Sequence, residues 1–171
     1  MRKMWMTLLA SLIAWMALTV QAADEITLTD FDGEPRTIES YAGDGRWLVV
    51  MVWAHNCHVC NQEAEAYAQF HEAHHQTDAH VLGVSLDGAA NRADAEDFIA
   101  RHDLPFPNLI GEPERVMLKY LNLTQSQFRG TPSILLYGPD GTLRAAQAGA
   151  VPVASIEAYI ARNSDKAEKA G

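Results

Sequence analysis

Two cysteines three positions apart constrain this chain more than any other feature. Cys57 and Cys60 are its only cysteines, and they follow closely on the apolar run from Leu48 to Trp53. A structural disulfide gains stability mainly by closing a long loop in the unfolded chain. Two intervening residues offer little of that gain, so the pair indicates redox chemistry and not a structural staple.

The flanking residues predict a different role for each cysteine. If Leu48 to Trp53 is a buried strand and a helix begins at Cys57, the first thiol lies at a helix N-terminus, where unpaired backbone N–H groups and the helix dipole favour a thiolate. Cys57 is therefore the predicted nucleophile. Cys60 lies one helical turn further on and faces the same side, so it is the predicted resolving thiol that attacks a mixed disulfide on Cys57.

Two other interpretations of the pair stay open at this point. A structural zinc site needs two further Cys or His ligands at suitable spacing, and the nearest histidines, His55 and His58, are crowded into the same turn. The cysteines could also be an incidental buried pair. The order of strand, two-cysteine turn and helix is hard to obtain by chance, so it favours the redox interpretation.

Residues 1–22 have the pattern of an export signal. Basic Arg2 and Lys3 precede an apolar stretch from Met4 to Val20, and Val20-Gln21-Ala22 places small residues where a signal peptidase inspects the chain. We expect cleavage after Ala22. An uncleaved membrane anchor is the alternative, because a stretch of about 17 residues is at the lower limit for crossing a bilayer. Either way, the domain is expected outside the cytoplasm, where disulfides persist.

The chain is acidic. It has 13 Lys and Arg against 22 Asp and Glu, a formal net charge of -9, and loss of Arg2 and Lys3 with the signal changes this to 11 minus 22, or -11. Nucleic acids call for a basic surface, so no nucleic-acid partner is expected. We expect residues 24–163 to form one domain and residues 164–171 a polar tail.

The order of the predicted elements indicates an α/β domain. An N-terminal hairpin, Ile26 to Ile38 with its turn at Asp32-Gly33, precedes the other elements. Further strands are predicted at 47–53, 81–86, 133–137 and 142–148, and helices at 57–75, 93–101, 112–121 and 153–162. This order predicts a mixed sheet with helices on both faces, built around a right-handed βαβ unit, and a site at the carboxyl ends of the strands.

The whole pattern resembles the thioredoxin fold and, within it, the exported TlpA/ResA-like thiol–disulfide oxidoreductases, which include the cytochrome c maturation reductases. The resemblance covers residues 26–162. It rests on the leading hairpin, an extra helical segment before the third strand, and the motifs VWAHNCHVC, Glu63, GVSLD, Gly130-Thr131-Pro132 and ILLYGPDGTL.

The resemblance implies disulfide exchange with exported partner proteins, apocytochrome c among the candidates, with reduction favoured over oxidation. It also implies a membrane electron donor. No cofactor is expected beyond the redox-active disulfide of Cys57 and Cys60.

Roles for four further residues follow from the resemblance. Thr131 and Pro132 correspond to the cis-proline loop, where the Thr131 backbone would pair with a bound substrate strand. Glu63 matches the family's acid and would accept the proton of the resolving thiol if the fold buries it. The alternative is that its carboxylate only interacts favourably with the dipole at the start of the helix. Trp53 matches the strand-end aromatic, which either packs in the core or contacts substrate.

Three positions depart from the family pattern. Asn56 stands where Trp often precedes the first cysteine, Met51 takes the place of the buried acid of thioredoxins, and Glu65 replaces a helix-kinking proline. The substrate range and the proton path are therefore less constrained than the basic reaction.

His58 lies between the cysteines and, when protonated, would lower the pKa of the Cys57 thiol and make the pair more oxidising.

Histidines crowd the far end of the active-site helix, about five helical turns from the dithiol. His71 and His75 have the i, i+4 spacing that can hold one metal ion. We interpret the group as a solvated helix face and expect no metal site; its members are His71, Glu72, His74, His75, Asp78 and His80.

Two other function classes use the same residue types. A copper-handling metallochaperone would use Cys and His as ligands, but related carriers space their cysteines wider and use a distant His that this chain does not clearly supply. A thiol peroxidase on the same fold usually has Pro and Thr ahead of its reactive cysteine. Here the corresponding stretch is Val52 to Asn56 and has neither. The sequence therefore favours a thiol–disulfide oxidoreductase.

Overall fold

The computed structural model describes residues 26–168, with side chains as far as Ser164. The predicted export signal, residues 1–22, lies outside this range. Within the described range, no helix is both long enough and apolar enough to cross a bilayer.

A seven-stranded mixed sheet forms the centre of the domain. The elements, in chain order, are β1 Leu28–Asp30, β2 Pro35–Arg36, β3 Trp47–Trp53, α1 His58–His74, β4 Ala79–Ser85, α2 Arg92–Arg101, β5 Asn108–Ile110, α3 Pro113–Thr124, β6 Ser133–Tyr137, β7 Leu143–Ala148 and α4 Val153–Glu168. The strands lie in the order β2-β1-β5-β4-β3-β6-β7. Strands β3, β4 and β5 are parallel, and the other neighbours pair antiparallel. The predicted α/β architecture is confirmed.

Strand β3 is central because both of its faces are covered, and all of its residues are buried. Side chains alternate between the two faces of a strand. Val49 and Met51 pack with residues of α1, α2 and α4 on one face, whereas Val50 and Val52 pack with residues of α3 on the other. This two-sided burial explains why the strand is apolar without alternation.

Strand β5 is the element that the sequence analysis does not predict. It has only three residues, Asn108–Ile110, between Pro107 and Gly111, which is too short for a periodic pattern. It pairs parallel with β4 and antiparallel with β1. As a result, the N-terminal hairpin extends the main sheet.

Helix α4 is longer than expected. It continues to Glu168, whereas the sequence predicts an end at residue 162 and a polar tail from 164. Residues 163–168 carry no Pro or Gly, the strongest signals that stop a helix.

The histidine-rich end of α1 differs from the solvated face that we expected. His71 and His80 are buried. His71 Nδ1 accepts the backbone N–H of Val81 at 3.1 Å, and its ring stacks on His75 with centroids 4.9 Å apart. The solvated interpretation is wrong for these two rings. His71 packs from α1 onto β4, and His80 lies within β4 with its Nε2 3.0 Å from the Tyr41 carbonyl oxygen. Among the described residues, no three potential ligands are arranged to hold a metal ion.

Candidate active site

The two cysteines form a disulfide at the start of α1, with their Cα atoms 5.2 Å apart. Cys57 is the N-cap residue of the helix, and its Sγ accepts the backbone N–H of Cys60 at 3.1 Å. Cys60 has no exposed surface, whereas Cys57 is partly exposed. An incoming sulfur atom can therefore approach Cys57 but not Cys60.

Asn61 links the dithiol turn to the end of α2. Its Nδ2 donates to the carbonyl oxygens of His55 at 3.1 Å and Cys57 at 2.9 Å. Its Oδ1 lies 3.1 Å from Arg101 Nη1, which donates to it, and 3.0 Å from His102 Nε2. The sequence analysis did not identify Asn61, because an amide in the first turn of a helix carries no distinctive pattern.

Asp87 and His55 form a second link, from the end of β4 to the dithiol turn. Asp87 Oδ1 lies 2.7 Å from His55 Nδ1, and Asp87 Oδ2 accepts the backbone N–H of His55 at 3.0 Å. The sequence analysis assigned neither residue to the site. One signal was present, because Asp87 follows a buried strand at the carboxyl edge where α/β sheets place their sites.

Glu63 lies one helical turn beyond Cys60. It is half-buried, and its Oε2 is buried without a hydrogen-bond partner among the described residues. Burial raises the pKa of this carboxyl, although a backbone hydrogen bond from Val151 acts in the opposite direction. Tyr67 donates its hydroxyl to the Val151 carbonyl at 3.0 Å. The surroundings of Glu63 therefore favour a bound proton more than water does.

The peptide bond between Thr131 and Pro132 is cis, the isomer that the resemblance implies. Ser133 pairs with Val52 in the β3–β6 register, so this bond lies at the carboxyl end of β3, the end from which the chain continues to the dithiol. Pro132 is buried and its carbonyl accepts the N–H of Gly149 at 2.8 Å, whereas Thr131 is half-exposed.

Trp53 does not reach the surface. Its ring is fully buried and stacks on Phe98 with centroids 4.3 Å apart, and its Nε1 donates to Asn108 Oδ1 at 3.1 Å. Of the two roles considered for Trp53, core packing is therefore the one observed, and its assignment to substrate binding is wrong, since α2 and β5 cover the side chain. His58, by contrast, is exposed between the two cysteines.

A family model described as the AhpC/TSA family matches residues 19–146, which is most of the chain. The chain belongs to the AhpC/TSA family. No curated protein matches it. Membership of this family, together with a Cys-x-x-Cys disulfide at a helix N-terminus, identifies the chain as a thiol–disulfide oxidoreductase.

Solved structures similar to this AhpC/TSA family member confirm the predicted thioredoxin fold. A secreted disulfide oxidoreductase of Mycobacterium tuberculosis, homologous to DsbE of E. coli, is 23% identical, with a TM-score of 0.59 over 82% of this chain and 99% of that chain. StoA of Bacillus subtilis is 19% identical, with a TM-score of 0.60 over 78% and 93%. The thioredoxin domain of the oxidoreductase BVU-2223 of Bacteroides vulgatus is 19% identical, with a TM-score of 0.63 over 78% and 91%.

Proposed function

We propose that this protein is exported and reduces disulfides in other exported proteins. The observation that carries the proposal is the unequal exposure of the two sulfurs at the start of α1. Cys57 is open to a partner and accepts a helix N–H, whereas Cys60 is enclosed behind it. This arrangement suits one thiol that meets the substrate and a second that releases it.

The reaction takes two exchange steps. In the reduced protein, the Cys57 thiolate attacks one sulfur of the partner's disulfide, so that a mixed disulfide forms and the partner's other sulfur leaves and takes up a proton. Cys60 then loses its proton and attacks the Cys57 sulfur. The Cys57–Cys60 disulfide forms, the second partner thiol leaves, and two electrons have passed to the partner.

Glu63 is the proposed acceptor of the Cys60 proton. Its buried Oε2, which has no hydrogen-bond partner in the described part of the chain, and the raised pKa of its carboxyl support this role, because both favour proton uptake inside the domain. If Glu63 only interacted with the helix dipole, a solvated carboxylate would be sufficient and its burial would have no function.

The cis-proline loop is the proposed binding surface for the partner's backbone. Thr131 is half-exposed next to buried Pro132, at the same end of β3 as the dithiol. An extended partner segment would add main-chain hydrogen bonds to Thr131 while its disulfide lies over Cys57. His58, exposed between the cysteines, is the proposed modulator of the Cys57 thiol.

Export and the reducing direction are supported by different observations. Residues 1–22 have the pattern of an export signal, and the similar Mycobacterium tuberculosis protein is described as secreted. An exported reductase requires a supply of electrons, which we assign to a membrane donor. Apocytochrome c, whose haem-attachment cysteines must be reduced, is one partner that this chemistry fits.

A trapping experiment tests the proposal. Cys60→Ala, tagged and expressed in the native host, should retain exported proteins as mixed disulfides on Cys57 that thiol reductants release. The matched control is Cys57→Ala/Cys60→Ala, which should retain none. If the folded Cys60→Ala variant captures no protein through Cys57 while the purified wild type reduces peroxide faster than protein disulfides, the peroxidase interpretation replaces this proposal.

A further inference from the structure

The hydrogen bonds between Asp87 and His55 connect the core of the domain to the turn that carries Cys57. Both carboxylate oxygens take part, one with the imidazole at 2.7 Å and the other with the backbone N–H at 3.0 Å. Neither the family match nor the exchange steps above assign a role to this pair. Two bonds from one rigid group fix both the position and the orientation of His55.

Asp87 is itself held in place by the end of β4. Its side chain is 4% exposed. The hydroxyl of Ser85, which is fully buried at the end of β4, donates to Asp87 Oδ2 at 2.7 Å and accepts the Asp87 backbone N–H at 3.0 Å. The carboxylate is thus attached to the sheet, so it can act as an anchor for a neighbouring loop.

The anchored loop is the one that presents the nucleophile. Cys57 donates its backbone N–H to the carbonyl of Ala54 at 3.1 Å, which closes a tight turn with His55 inside it. This turn determines where the Cys57 Sγ lies relative to the N–H groups at the start of α1. Its placement matters because the thiolate is stabilised only while the sulfur faces those groups.

We propose that Asp87, acting through His55, is a positioning residue that holds Cys57 against the N-terminus of α1. The role rests on the proposed function only in taking Cys57 as the reactive thiol. Loss of the imidazole bond loosens the turn, and the Cys57 sulfur then spends less time in contact with the helix N–H groups. The reactivity of the reduced protein falls even though every group that reacts is still present.

The hydrogen bonds also determine which ring nitrogen of His55 carries the proton. An ionised carboxylate only accepts hydrogen bonds, so the neutral imidazole must be protonated on Nδ1. In Asp87→Asn, the amide oxygen must take the position that accepts from Ser85 and from the His55 N–H. The amide NH2 then faces Nδ1, and the neutral ring must carry its proton on Nε2 instead.

The test compares variants of the full-length protein in reduced form at pH 7. His55→Ala should slow the alkylation of Cys57 about fivefold to tenfold, since a hydrogen bond to a charged group is lost. His55→Asn should recover most of this rate, because the asparagine Nδ2 lies where the imidazole Nδ1 was and can donate to Asp87. In Asp87→Asn, the imidazole 15N signals of His55 should show the inverted tautomer.

A second pair of the same type provides the matched control. His74 Nδ1 lies 2.8 Å from Asp78 Oδ1 at the other end of α1, so His74→Ala removes a similar bond away from the dithiol. Its Cys57 rate should equal that of the wild type. The proposal is overturned if His55→Ala reacts at the wild-type rate, if His55→Asn is as slow as His55→Ala, or if Asp87→Asn leaves the tautomer unchanged.

The alkylation rate needs no partner protein. If the wild type reduces no protein disulfide, the proposed function fails while the positioning role is still decided by these rates. If the wild type reduces protein disulfides but His55→Ala and His55→Asn alkylate at the same rate, only the positioning role fails.

Discussion

At the scale of single residues, burial separates two thiols that the sequence places only one helical turn apart. Cys60 has no exposed surface, and Cys57 is partly exposed at the helix N-terminus. Thiol reactivity depends on both thiolate character and access. The structure therefore divides the dithiol into an accessible outer sulfur and an enclosed inner one, as the proposed roles require.

This division predicts unequal alkylation. In the reduced protein, Cys60→Ser should leave a Cys57 that reacts readily with iodoacetamide at pH 7. Cys57→Ser should leave a Cys60 that reacts at least about tenfold more slowly, because it is buried and lies beyond the helix N-terminus. Mass spectrometry over time gives both rates, and equal rates in the folded variants would show that the roles are misassigned. In urea the two variants should react alike.

Substitution of Glu63 tests how burial of its carboxyl group affects the stability of the fold. Its pKa is raised in the folded protein by burial, so the ionised form opposes folding. A raised pKa contributes stability below the unfolded pKa, near 4.5, that is lost as the pH rises through the folded value. Glu63→Gln should therefore raise the urea midpoint at pH 7 and leave it nearly unchanged at pH 4. A lower midpoint at pH 7 would show that the carboxylate is stabilised. The same variant should slow disulfide turnover at pH 7.

At the scale of elements, α1 and β4 are held together by a histidine that must stay neutral. His71 Nδ1 accepts the Val81 N–H, and a protonated ring nitrogen cannot accept. Burial, with smaller contributions from His75, His80 and Arg46, lowers the pKa of His71 to about 4 from 6.5.

The lowered pKa predicts a pH-dependent loss of stability. The contribution of neutral His71 is fully present above pH 6.5 and is lost as the pH falls towards about 4. His71→Asn provides an acceptor oxygen near the same place but does not titrate, so its free energy of unfolding should fall less between pH 7 and pH 4.5. Urea unfolding at the two pH values measures the difference. Parallel losses in the two proteins would contradict this prediction.

The close contact between β4 and β5 requires a glycine at position 83. A Cβ on Gly83 would overlap Asn108 Oδ1 and lie 2.8 Å from Trp53 Nε1, so the bond between those two side chains crosses the glycine. Gly83→Ala should therefore destabilise the fold by about 1–3 kcal/mol, as overpacked cores do. Gln147→Ala, on an exposed position of β7, should change stability by about 0.5 kcal/mol or less. Urea unfolding compares them, and equal midpoints would mean that the core adapts.

At the scale of the whole molecule, the reduction potential reflects the relative stability of the reduced dithiol and the Cys57–Cys60 disulfide. We expect the helix N-terminus, and His58 when it is protonated, to stabilise the Cys57 thiolate and so to make the pair more oxidising. A single exposed histidine has a modest effect, because solvent and salt screen its charge.

We therefore expect a reduction potential between those of thioredoxin, roughly -270 mV, and DsbA, roughly -120 mV, and nearer to thioredoxin. Equilibration with glutathione measures it, and His58→Ala should shift it to a more negative value. In cells, acid trapping of thiols should find the protein mostly reduced. A potential near that of DsbA, or a mostly oxidised population, would reverse the proposed direction.

The sequence alone determined the site's location and much of the fold. Local patterns suffice for features that depend on neighbours along the chain. The apolar run at β3, the start of α1 at the cysteine pair and the Asp32-Gly33 turn are such features, and each lies where predicted.

Tertiary structure decided which side chains are covered and which distant groups meet. The cover provided by α2 and β5 decides between the two predicted roles of Trp53, and β4 buries His71 although nothing next to it in the chain indicates this. The Asp87–His55 pair joins positions 32 residues apart through the parallel pairing of β3 with β4. Sequence patterns record the preferences of each segment, whereas burial and hydrogen-bond partners depend on what packs against it, and that is set only when the sheet assembles.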